Sequence, residues 1–105
     1  MNDNKVLIKL IVPDLNKTFD AYIPVNERIY KTIKLITKAV SDLSGGSLNV
    51  RNNYILINLS NCREYKNNEI VLDTEIRNGT ELVLLSSDKN MPVNNNKTLN
   101  IQTKY

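Results

Sequence analysis

The chain has 105 residues, enough for one domain with a single modest core. Its 14 Lys and Arg against 11 Asp and Glu give a net charge of +3, but no basic run or RNA-binding aromatic motif accompanies the excess, which argues against a nucleic-acid binder. The absence of His excludes His-ligated metal sites and His general bases, and the single Cys62 excludes an internal disulfide and a four-cysteine iron–sulfur cluster.

Lys5 to Val12 is rich in β-branched residues and bounded by Pro13-Asp14, which predicts a strand followed by a turn. Lys9 belongs in solvent, so alternation assigns Val6, Ile8, Leu10 and Val12 to the core and Leu7 and Ile11 to the other face. After the turn at Pro13–Lys17, Thr18 to Ile23 alternates with Phe19, Ala21 and Ile23 on one side and Thr18, Asp20 and Tyr22 on the other. The short connector makes the pair a β-hairpin, which Pro24 ends.

Asn26 is the expected helix N-cap, with Glu27 in the first turn where the helix dipole favours an acid. The helix runs to about Leu43, because Ile29, Ile33, Ile36, Val40 and Leu43 form one apolar stripe. Lys31, Lys34 and Lys38 fall opposite, and Gly45-Gly46 supplies the stop.

Tyr54 to Leu59 is a further strand, followed by a turn and a short strand near Tyr65. Ile70 to Ile76 reads as a loop with buried anchors, Asn78-Gly79 as a turn and Glu81 to Ser86 as the last strand. Residues 1–86 are thus expected to form the domain, and residues 87–105 a polar, Asn-rich tail in which Thr98–Gln102 alternates weakly as an edge strand would. The order β-β-α-β-(β)-β fits an α+β fold, a β-grasp in which a mixed sheet wraps one helix and the first and last strands lie side by side.

No catalytic, cofactor or metal site emerges from these residues. Gly45-Gly46 lies inside the chain, where it serves as a helix stop rather than a conjugation terminus. Cys62 has no His partner to activate it, and the spacing of Asp73, Glu75 and Glu81 matches no metal loop. What remains is surface. With Leu82 and Leu84 directed at the helix, Val83 and Leu85 point away; with Ile55 and Ile57 directed inward, Leu56 points out. Together with Leu7, Ile11 and Tyr22 they make an apolar patch on the open sheet face, the expected protein-binding site. The alternative binding face is the stripe Lys31, Lys34 and Lys38, which suits an acidic partner or nucleic acid.

Lys5 to Ser86 resembles ubiquitin in element order, and the stretch from Ile70 to Leu85 has the rhythm of ubiquitin's last third. It is more similar still to the small bacterial ubiquitin-like proteins of the YukD/EsaB group, which accompany the type VII secretion machinery of Firmicutes. The match is carried by Val6-Leu7-Ile8-Lys9-Leu10, Thr18 to Val25, the helix from Ile29, and Ile76-Arg77-Asn78-Gly79-Thr80-Glu81-Leu82. The resemblance implies a non-enzymatic accessory or adaptor of a type VII-like secretion system, without cofactor or covalent conjugation. Its partner would be a membrane-anchored component or an FtsK-like ATPase, docked through the sheet face. The alternative is a general intracellular adaptor or regulator that works through the helix lysines. No apolar run reaches the ~20 residues of a membrane span and residues 1–5 have no signal-peptide pattern, so the expected location is cytoplasmic, with no direct membrane insertion. The tail from Ser87 to Tyr105 departs from the compact pattern of the group.

Overall fold

The computed structural model describes residues 4–50 and 52–87. Strands β1 (Lys5–Val12) and β2 (Lys17–Pro24) form the hairpin, joined by a 3-10 turn at Pro13–Leu15. Helix α1 spans Ile29–Leu43, and β3 (Tyr54–Asn58), β4 (Arg63–Glu64), a second 3-10 turn at Val71–Asp73 and β5 (Glu81–Ser86) follow. The sheet order is β2-β1-β5-β3-β4. The central pair β1/β5 is parallel and the other pairs are antiparallel. This is the ubiquitin-like β-grasp expected from the element order.

Alternation decides what each strand buries. Ile8, Leu10 and Val12 of β1, Ile23 of β2, and Leu82 and Leu84 of β5 face the helix and are buried. They meet Ile29, Ile33, Ile36 and Val40 of α1 in one core, which Leu48, Tyr65, Val71 and Ile76 close around the edges. Fully burying an Ile or Leu of this kind contributes about 1.5–3 kcal/mol, so the helix stripe and the sheet's inner face hold each other in place.

Three expectations need correction. The helix N-cap is Arg28, not Asn26, and no side chain caps it. The backbone of the loop before β5 does that work instead: the N–H groups of Ile29 and Tyr30 donate to the carbonyls of Glu69 and Asn67, at 2.8 and 3.1 Å. A cap supplied by a segment 40 residues away leaves no local sequence signal. At the other end, Leu43, the last residue of the helix, is 74% exposed beside the groove between α1 and β2 rather than buried in the core. Gly45 and Gly46, with φ of 67° and 85°, stop the helix there as expected.

The third correction concerns β3. Tyr54, Leu56 and Asn58 face the helix, with Leu56 at 0% exposure, while Ile55 and Ile57 face outward. The strand is apolar on both faces, so its own alternation does not choose between them. The antiparallel register does: Leu56 pairs with the inward Leu84, and Ile55 and Ile57 pair with the outward Leu85 and Val83. Directly paired residues share a face. The polar Asn58 hides the assignment, since it occupies an inward position and satisfies its amide there through Tyr65 and Ser60.

Candidate protein-interaction surface

The outer face of the sheet is built in rows that cross the strands. One row runs Thr18–Ile11–Val83–Ile57–Glu64, touching every strand in turn. Next to it lies the pair Leu85 and Ile55. Ile11, Val83, Leu85, Ile55 and Ile57 are all partly exposed, and together they form an apolar strip at the middle of the sheet. On the other side of that row lies a charged one, Asp20–Lys9–Glu81. Lys9 Nζ stands 3.9 Å from the Asp20 carboxylate. Beyond it, Leu7 pairs with Tyr22, and both are exposed, at 37% and 68%. They line a shallow depression of about 480 Å³ with Lys5 and Asn78.

Five of the six residues expected at the interaction site therefore lie on the outer face: Leu7, Ile11, Tyr22, Val83 and Leu85. Leu56 does not; it is core, and Ile55 and Ile57 stand in its place. Nor is the set one patch. Leu7 and Tyr22 are cut off from Ile11, Val83 and Leu85 by the charged row, which only the strand register reveals. The surface can offer two apolar contacts with a charged stripe between them.

Lys31, Lys34 and Lys38, the alternative face, are all exposed on α1. Lys38 is 3.6 Å from Asp42, one turn on, which neutralises part of the stripe.

The acids of the last loop divide. Glu75 is not a free loop acid: its Oε2 accepts from Asn61 Nδ2 and from the Tyr65 hydroxyl, both at 2.9 Å, and its Oε1 accepts from Arg63 at 2.5 Å. The Asn61 hydrogen bond above all, with Tyr65 and Arg63 adding to it, holds its carboxyl down at about 2. Arg63 also reaches Glu69 and lies over the Tyr65 ring, 4.8 Å from its centroid. This network pins the β4 end of the sheet, and each acid in it already has its donors. Cys62 is exposed in the turn just before it, with φ of 58°. Among the described residues no group of three His, Cys, Asp or Glu is placed to hold a metal ion, and no helix is long and apolar enough to cross a membrane.

No protein-family model matches the chain, and no curated protein matches it. Solved structures do. A solution structure of the N-terminal ubiquitin-like domain in the 4931431F19Rik protein is 13% identical, with a TM-score of 0.64 over 88% of this chain and 84% of that one. The EccD5 ubiquitin-like domain of Mycobacterium xenopi is 13% identical, with a TM-score of 0.65 over 81% of this chain and 97% of that one. The ubiquitin-like domain of the Mycobacterium tuberculosis type VII secretion system protein EccD1 is 12% identical, with a TM-score of 0.61 over 78% and 98%. At such identities the likeness is one of fold, and the fold is ubiquitin-like.

Proposed function

We propose that this chain is a non-enzymatic ubiquitin-like adaptor of a type VII-like secretion system. It docks a membrane-anchored component or the FtsK-like ATPase through the outer face of its sheet, on the cytoplasmic side. The observation that carries the reading is the row of Ile11, Val83 and Ile57 with Leu85 and Ile55 beside it, five apolar side chains in register on a sheet face that no helix among the described residues covers. The EccD-type structures with the same fold supply the secretion context. The Lys9 row adds a charged contact that fixes how a partner lies across the strands.

Purified cytosolic domains of the membrane component and of the ATPase, immobilised in turn, provide the test. Leu7→Ala with Val83→Ala is expected to keep the fold and lose capture, because interface energy concentrates in a few anchors. Lys34→Glu with Lys38→Glu is expected to bind as wild type. The opposite pattern would move the site to the helix, and a steep loss of affinity with salt would then favour an acidic partner or nucleic acid. Capture of neither domain by the wild-type chain would refute the secretion reading.

A further inference from the structure

A cleft opens where β4 ends. The β3/β4 ladder pairs Ile57 with Glu64 and Asn58 with Arg63, and the Tyr65 N–H extends it by donating to the Leu56 carbonyl at 3.1 Å. Continued by two residues, the same register would set Asn67 against Tyr54. The chain turns away instead. The Lys66 N–H donates to the Glu69 carboxylate at 2.7 Å, and the Glu69 N–H to the Lys66 carbonyl at 3.1 Å. That turn delivers the Asn67 and Glu69 carbonyls to the first N–H groups of α1, so the segment that caps the helix is lost to the sheet.

Tyr54 is left with an open edge. Ser87 donates its N–H to the Asn53 carbonyl at 2.7 Å and Leu59 to the Glu81 carbonyl at 3.0 Å, so Asn53, Ile55, Ile57 and Leu59 bond toward β5. The antiparallel phase turns the N–H and C=O of Tyr54 the other way, where they have no partner among the described residues. Tyr54 is 7% exposed, and an open peptide group at so buried a residue favours whatever can pair it. Two depressions, of about 830 and 350 Å³, meet here, with Asn53, Tyr54 and Asn67 in the walls of both. Charge is uneven along the cleft they form. Glu64 and Lys66 stand together in the wider part, whereas Lys34 of α1 is the one charged residue in the wall of the narrower part. Among the described residues Lys34 has no ion-pair partner, while Lys38, one turn on, is held by Asp42. Tyr30 and Val50, both exposed, line the same part as Lys34.

We propose that this cleft binds a short extended segment of a partner protein, with a carboxylate side chain at the end that lies over α1. One residue of the segment exchanges backbone hydrogen bonds with Tyr54, in the register that Asn67 gives up. The side-chain amides of Asn53 and Asn67 flank it with donors and acceptors for its other peptide groups. An apolar side chain of the segment covers Tyr30 and Val50, and the carboxylate meets Lys34. The open strand edge selects an extended backbone, and the unopposed lysine selects the sign of the charge at one end. The cleft shares Ile55 with the apolar strip of the outer face and does not depend on the secretion reading.

The test is a titration of the isotope-labelled full chain, followed by amide NMR. Three synthetic peptides share an alternating Val/Thr core. One ends in Glu, one ends in Lys, and one ends in Glu but carries N-methyl groups on its core amides. The first is expected to shift the amides of Tyr54, Asn53 and Asn67 most. The Lys peptide should bind at least about fivefold more weakly. The N-methylated peptide should not bind, because it cannot donate to the Tyr54 carbonyl. Lys34→Glu is expected to reverse the order of the Glu and Lys peptides at an unchanged melting temperature, since that side chain is exposed. No shifts at about 1 mM of the Glu peptide would overturn the proposal. So would shifts centred on β2 or on Val83, equal binding of the Glu and Lys peptides, or binding of the N-methylated peptide as tight as that of its parent.

Discussion

Leu56→Ala discriminates between the two faces of β3. The side chain is fully buried opposite Leu84, inside the cluster formed by the helix stripe and the inner sheet face. Removing three of its carbons leaves a cavity in the middle of the only core of the described domain, and Leu→Ala changes of this kind cost about 2–5 kcal/mol. In a domain of 60–100 residues each kcal/mol lowers the melting temperature by about 4–8 °C, so a fall of at least about 10 °C is expected. Ile55→Ala, one position away on the outer face, removes a side chain that keeps part of its contact with water and is expected to cost about 1 kcal/mol or less. Thermal and urea unfolding followed by circular dichroism measure both. Leu56→Ala unfolding within about 1 kcal/mol of wild type, with Ile55→Ala losing more than about 2, would show the opposite register and return Leu56 to the outer face. The size of the expected loss also disqualifies Leu56 as a probe of docking, since its variant would lose binding by losing structure.

Glu75→Gln is expected to flatten the acid limb of stability. The carboxyl is held at about 2 when folded, so its stabilising contribution is fully present above its unfolded value of about 4.3 and is lost as pH falls through about 2. The carboxylate is partly exposed, so the effect should be within about 1 kcal/mol, read as a smaller fall in urea midpoint between pH 5 and pH 2 in the variant. Cys62→Ser should leave partner capture intact, because the chain holds no His to activate the exposed thiol, and loss of capture with an unchanged circular dichroism spectrum would show that it is used. Truncation after Ser87, at the proposed domain boundary, is expected to shift the melting temperature by less than about 2 °C, since residues 88–105 offer little apolar surface to bury. A larger fall would place Leu99 and Ile101 on the domain and move the boundary; both residues, like the weakly alternating Thr98–Gln102, lie outside the described residues.

The strands and helix that could be read from the sequence are those with one polar face. Lys9 in β1, Thr18 and Asp20 in β2, and Lys31, Lys34 and Lys38 in α1 each mark the solvent side, so the buried side follows by period. In β3 no such mark exists on the outer face, and the polar residue that is present, Asn58, sits on the inner one. Only pairing with β5 resolves it. The split of the outer surface is hidden for the same reason. Lys9, Asp20 and Glu81 belong to three strands, and they become a row only when β1 pairs with both β2 and β5. The Glu75 network is hidden too, because Asn58 comes to it from the end of β3, Arg63 from β4, Tyr65 from just after it and Glu69 from the loop beyond.

The row geometry limits what can cover the outer face. Five strands about 4.8 Å apart make the row from Thr18 to Glu64 roughly 19 Å long. A helix laid along it needs about 13 residues, at 1.5 Å each. Its apolar side would rest on Ile11, Val83 and Ile57. The neighbouring row, two residues farther along each strand and so about 7 Å away, would then face one flank of the helix with Lys9 between Asp20 and Glu81. Two acids around one lysine favour a basic residue on that flank, and Lys9 itself penalises one placed directly over it. A partner helix shifted by one turn would lose that match while keeping its apolar contacts. A helix docked there would take its register from the charged row and its affinity from the apolar strip.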